Sequence, residues 1–213
     1  MSEAPPPTTP FDMGAGRLEA FSDAVMAVII TLLAFELEPP AAVSRAALRE
    51  ALPGLFIYVL SFLFIAIYWN NHHHLLRASD RISAATMWAN MLLLFCLSLI
   101  PVSAEWMRSA AHTHLDPRGP AAFFGIVGLA AALSYTWLVR ALIRANGRDS
   151  GLARAIHTDV KGRVSLALYA AGVALAGLSA SLSYVCYAAV SVIWLIPDRR
   201  LTHTHNDEPD PRQ

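Results

Sequence analysis

Charge is scarce in this 213-residue chain: 15% of it is Asp, Glu, Lys or Arg, against 55% hydrophobic residues. A water-soluble domain carries about 25% charge, so a soluble globule is excluded. Cysteine is nearly absent as well. Cys96 and Cys186 both fall inside apolar runs, without metal-type or redox spacing, and read as small hydrophobic filler. The chain has no HExxH, nucleophile elbow, Gly-rich phosphate loop or paired carboxylates in a plausible cleft, so an enzyme is not expected. It also has no basic patch with interleaved aromatics, so nucleic acid is not an expected partner. The opening MSEAPPPTTPFDMG lacks the basic segment and short apolar core of a cleavable signal.

Apolar runs of about 20 residues are abundant, the length that crosses roughly 30 Å of hydrocarbon. The fold class that follows is an all-α membrane protein with six transmembrane helices. The first span runs from about Leu18 to Leu37 and stops at EPP; the second runs from about Pro53, placed in its first turn, to Leu76. The third runs from about Ile82 to Ala104, kinked or ended by Pro101, and the fourth from about Pro120 to Leu142. The fifth and sixth, VSLALYAAGVALAGLSA and LSYVCYAAVSVIWLIP, read as a tight hairpin whose small residues let helices approach closely. One domain, 17–198, then lies between disordered tails, 1–16 and 199–213, which both face the cytoplasm.

Orientation follows from the short loops. Twelve basic residues lie on the side of both termini: Arg17, Arg77, Arg81, Arg140, Arg144, Arg148, Arg154, Lys161, Arg163, Arg199, Arg200 and Arg212. Four lie opposite: Arg45, Arg49, Arg108 and Arg118. This predicts cytoplasmic termini. The series Arg140, Arg144, Arg148 repeats every four residues and reads as a positive-inside anchor, with anionic lipid or a neighbouring subunit as alternative contacts.

The first span, RLEAFSDAVMAVIITLLAFEL, carries a carboxylate where charge is costly and marks function. At 100° per residue, Arg17, Phe21, Ala24, Val28, Thr31, Leu32 and Phe35 fall on one face. Ser22, Asp23, Met26, Ile30 and Leu33 point the opposite way. Asp23 therefore needs partners inside the protein, and YWNNHHHLL in the second span lies at similar depth. Trp69, His72 and His73 share a side of that helix, and Asn90 in the third span is a further donor. The three adjacent histidines, His72 to His74, fan out by 100° each and do not converge on one ion. The two HTH segments, His112–His114 and His203–His205, lie on opposite sides of the membrane. A hydrogen-bonded network is preferred over a metal site here, and no cofactor or metal is expected. Glu36 and Glu38 lie at a helix end, where water reaches them.

These residues carry a resemblance. Arg17 with Phe21-Ser22-Asp23, then YWNNHHHLLRASD and NMLLLFCLSLIPVSAEWM, resembles the lysosomal potassium channel family of the transmembrane protein 175 type, in its single-repeat bacterial form. The likeness covers about Arg17 to Met107; the second half matches in hydropathy and length. It implies a homotetramer in a bacterial plasma membrane, with the first helices lining a central pore that conducts potassium in preference to sodium. It also implies a ring of bulky aliphatic side chains seven residues past the Phe, here Val28, followed by a hydroxyl at Thr31 and then Phe35. Valine replaces the expected isoleucine or leucine, so the pore is expected to be wider and leaky to other monovalent cations, with the narrowest ring at Val28 or at Phe35. Ala24 and Leu32 complete the pore-lining set. The triplet is implied to hold the pore helix against the next two spans, making Arg17, Phe21, Ser22, Asp23, Trp69, His72, His73 and Asn90 the anchoring network.

No TVGYG-like carbonyl filter occurs, so selectivity falls to an apolar constriction and partial dehydration. The alternatives are a proton- or cation-coupled secondary transporter and a non-conducting membrane scaffold. Transporter folds often show related halves, and the two halves here do not resemble each other. A scaffold would predict no flux.

Overall fold

The computed structural model describes residues 14–113, 115–147, 150, 153 and 160–195. Residues 1–13 and 199–213 of the expected tails, His114, Arg148, Arg154 and the second HTH segment lie outside the described residues, as does the side chain of His112. Ala15 and Gly16, expected in the N-terminal tail, already belong to the first helix. The described residues form seven helical segments: α1 (Ala15–Phe35), α2 (Arg45–Arg77), α3 (Ala84–Ser98), α4 (Ile100–Thr113), α5 (Arg118–Asn146), α6 (Val160–Ala176) and α7 (Ala180–Leu195). Segments α3 and α4 run on as one apolar column, which makes six columns in all. Four helices are long and apolar enough to cross a membrane. The remaining two, α6 and α7, have 17 and 16 residues, or about 25 Å each at 1.5 Å per residue.

Two helix boundaries differ from the sequence expectation. Helix α2 starts eight residues before Pro53, which sits inside it. Its start is set by Ser44, whose side chain accepts a hydrogen bond from the Ala47 N–H at 3.2 Å. The third span is interrupted at Leu99, in the turn before Pro101 where a kink was expected, but it does not stop near Ala104: α4 carries the column on to Thr113. At the other end of that column, Ser83 and Thr86 form a reciprocal capping box.

Helix α1 packs against α2, α3 and α4, whereas α5 packs against α3, α4, α6 and α7. The core contact of α1 is a stripe of Leu18, Met26, Ile29 and Leu33, set among Leu75, Leu76, Leu93, Leu97 and Ile100 of its neighbours. The expected hairpin forms as α6 and α7. Tyr187 of α7 lies where a Cβ on Gly172 or Gly125 would have to sit, so those two backbones approach it only because they lack side chains. Its hydroxyl donates to the Ala121 carbonyl at 3.0 Å, which satisfies the one polar atom of that buried ring.

The turn from α2 to α3 is pinned by a residue without a hydrophobic role. Asn146, at the end of α5, accepts from the Asp80 and Arg81 N–H groups at 2.9 Å each. It donates to the Arg81 and Leu142 carbonyls at 3.1 and 2.9 Å. Arg140 and Arg144, one turn apart on α5, are both exposed.

Candidate functional site

The two faces of α1 separate cleanly. Leu18, Ser22, Met26, Ile29 and Leu33 are buried. Arg17, Phe21, Ala24, Val28, Thr31, Leu32 and Phe35 are all exposed. For large apolar side chains this exposure is high: 48% at Phe21, 57% at Val28, 48% at Leu32 and 86% at Phe35. A continuous apolar strip along one helix is thus left uncovered by its own chain. Within it, the Thr31 hydroxyl donates back to the Val28 carbonyl at 2.8 Å. Its proton is committed to the helix, and its oxygen lone pairs remain on the exposed face.

The opposite face is held by a directed chain of hydrogen bonds. Ser22 Oγ donates to the Leu18 carbonyl at 2.8 Å, so it must accept from elsewhere. Asn90 Nδ2 donates to it at 2.9 Å. That fixes the orientation of the Asn90 amide and turns its carbonyl oxygen toward His72, whose Nε2 donates at 2.7 Å. Three helices meet in this chain, and Ser22, Asn90 and His72 are all fully buried.

Asp23 is not part of it. Its Oδ1 accepts from the Trp69 indole at 3.0 Å, in a half-exposed setting. The expected single anchoring network is therefore two adjacent ones. Ser22 joins Asn90 and His72, while Asp23 joins Trp69. His73 belongs to the second group: it stacks on Trp69 with ring centroids 5.7 Å apart, and its Nδ1 lies 2.8 Å from Glu19 Oε1. Arg77 Nε reaches the same oxygen at 3.4 Å. Arg17 and Phe21 join neither group; both side chains lie on the exposed face, and among the described residues the Arg17 guanidinium has no partner. Sequence reading missed Glu19, although it stands one helical turn before Asp23 and so shares its side.

At the other end of α1 a second polar cluster forms. Arg108 of α4 holds Glu105 through two hydrogen bonds of 2.8 Å and reaches Glu38 at 2.9 Å. Glu36, just past the last turn of α1, was expected to be wet. Instead one of its carboxylate oxygens is buried without a hydrogen-bond partner. It borders a small cavity of about 20 Å³ lined by Leu33, Gly54, Tyr58 and Arg108. Burial and, secondarily, the Glu105 charge push the Glu36 carboxyl from 4.5 up to about 7, with Arg108 opposing.

The chain is similar to several known proteins. Residues 17–101 match the family model for the endosomal/lysosomal potassium channel TMEM175. A potassium channel of Chryseobacterium sp. (strain P1-3) is 40% identical over 189 residues, 89% of this chain and 96% of that relative. One of Streptomyces collinus is 32% identical over 193 residues, 84% of this chain and 91% of the relative. The crystal structure of a lysosomal potassium-selective channel TMEM175 homolog from Chamaesiphon minutus superposes with a TM-score of 0.71 at 26% identity, covering 87% of this chain and 97% of that one.

Two outcomes are expected. Asn90→Ala leaves both Ser22 Oγ and His72 Nε2 short of a partner in a water-free interior, which costs about 1–3 kcal/mol. The thermal midpoint in detergent should fall by several degrees, while Thr31→Val, on the exposed face, should leave it unchanged; an Asn90→Ala midpoint equal to wild type would contradict this role. For Glu36, the folded state binds the proton more tightly than the unfolded chain between pH 4.5 and about 7. Its contribution to stability is present below 4.5 and lost as pH rises through about 7. The midpoint should decline over that window, and less steeply in Glu36→Gln; equal slopes would show that Glu36 does not titrate there.

Proposed function

The chain belongs to the endosomal/lysosomal potassium channel family TMEM175, and from that premise we propose that it is a multi-pass potassium channel whose conduction path is formed by α1 from several copies of the chain. The observation that carries this reading is the uncovered strip Ala24, Val28, Thr31, Leu32 and Phe35, on a helix whose other face is locked to α2 and α3. Alone in lipid such a strip would simply face hydrocarbon, as the exposed apolar faces of the other helices do. Around a shared axis it becomes a wall. Four copies are proposed, following the homotetramer that the family resemblance implies.

Selectivity in this arrangement comes from side chains. Helix α1 is continuous from Ala15 to Phe35, so its carbonyls are used within the helix and do not form a ring of ion ligands. Val28 supplies a dry ring that an ion crosses only by shedding part of its water. Potassium holds that water less firmly than sodium. One turn on, Thr31 offers an oxygen whose own proton is engaged elsewhere. Phe35 lies seven residues beyond Val28, about 10 Å along the axis, and forms the outer mouth.

The basic residues concentrated on the side of both termini favour cytoplasmic termini, and the bacterial relatives favour a bacterial plasma membrane. The exposed pair Arg140 and Arg144 suits anionic lipid head groups on the cytoplasmic side. No catalytic constellation is proposed.

Potassium flux from liposomes tests the reading. The wild type should release potassium, and Val28→Trp, which fills the proposed constriction, should abolish release while the oligomer stays intact. No flux from either protein would favour a scaffold. Equal flux from both would move the path away from Val28.

A further inference from the structure

The end of the bundle where α1 begins holds a second kind of chemistry, distinct from the pore strip. Glu19 and Asp23 stand one turn apart on α1, and His73 faces them from α2. One ligand atom from each lies within 4.8 Å of the other two. His73 Nδ1 is buried and close to Glu19 Oε1, at 2.8 Å, yet it is not aligned as an N–H donor to any acceptor. That nitrogen is thus not engaged as a hydrogen-bond donor and can turn to an ion that both carboxylates also reach. All three residues are only partly buried, so a water can complete the set.

We propose that Glu19, Asp23 and His73 form a binding site for a divalent transition-metal ion of the zinc, cobalt or nickel class. The donor set selects that class. Calcium wants six to eight oxygens and magnesium a near-ideal octahedron of oxygens and water, whereas two carboxylates and one imidazole suit zinc-like ions. A tetrahedral ion with bonds of about 2.1 Å needs ligand atoms about 3.4 Å apart. The widest spacing, up to 4.8 Å, therefore contracts by up to about 1.4 Å, while the His73–Glu19 pair, now at 2.8 Å, opens by about 0.6 Å. The side chains are free to do this. Asp23 keeps Oδ1 on the Trp69 indole and offers Oδ2. Arg77, the competing cation on Glu19, has a side chain that is 68% exposed and swings away into water.

The consequence is mechanical. With the ion bound, α1 and α2 are joined by coordination bonds at the same end where the Ser22–Asn90–His72 chain already joins α1 to α3 and α2. The inference stands whether or not α1 lines a pore, because it concerns only the α1–α2 contact.

Cobalt is the probe, added to the purified, detergent-solubilised full chain after removal of any affinity tag. The wild type should show visible ligand-field absorption that saturates at one ion per chain at micromolar concentration, and zinc should displace it. Glu19→Gln and His73→Asn should each weaken binding at least about tenfold, while His203→Ala with His205→Ala, in the C-terminal tail, should leave it unchanged. Zinc should also raise the thermal midpoint of the wild type. Absence of a saturable band from the wild type overturns the proposal, whatever the variants do. Binding that survives both site substitutions, or is lost with the tail histidines, overturns it too.

Discussion

One buried hydrogen-bond chain, from His72 through Asn90 and Ser22 to the Leu18 carbonyl, sets the rotation of α1 about its own axis. Turning α1 by one residue, about 100°, would expose Ser22 and drive Asp23 or Phe21 into the apolar core. The chain forbids that, because each of its polar atoms lacks water to fall back on. Everything on the far side of α1 follows from this rotation. Val28, Thr31, Leu32 and Phe35 face outward because Ser22, Met26, Ile29 and Leu33 must face inward.

The Asp23–Trp69 pair contributes differently. A single half-exposed hydrogen bond stabilises by about 1 kcal/mol, so it is the weaker constraint on α1 even though it carries the formal charge. Its larger effect is to hold a carboxylate beside Glu19 and His73. The two ends of α1 are thus both polar but differently built. One end gathers two carboxylates, an imidazole and an exposed arginine. The other has Arg108 clamped between Glu105 and Glu38, with Glu36 left partly buried and unpaired.

The face division of α1 was legible in the sequence because a helix of apolar residues with a fixed period leaves few ways to arrange one serine and one aspartate. The meeting of Ser22, His72 and Asn90 was legible in outline, since three polar residues at similar depth in an apolar bundle must find each other. Which of them pairs with Asp23 was not, because that depends on side-chain reach across α2, and Trp69 reaches it before His72 does. Glu19 was overlooked, and its turn-spacing from Asp23 was the available signal. The start of α2 was misplaced because Pro53 is a strong local cue for a first turn, whereas Ser44 capping and packing carry the helix through it. The interruption at Leu99 was legible from Pro101, which cannot donate to the carbonyl of the preceding turn, whereas the continuation of the column to Thr113 was not.

The central claim is that the exposed face of α1 is the wall of the conduction path. It is tested most directly by single cysteines on a background with Cys96 and Cys186 replaced by alanine. A water-soluble thiol reagent should block potassium flux through Thr31→Cys, on the exposed face, and leave Ile29→Cys, on the buried face two residues away, conducting as before. Flux untouched by modification at Thr31→Cys, or blocked equally at both positions, would contradict the account.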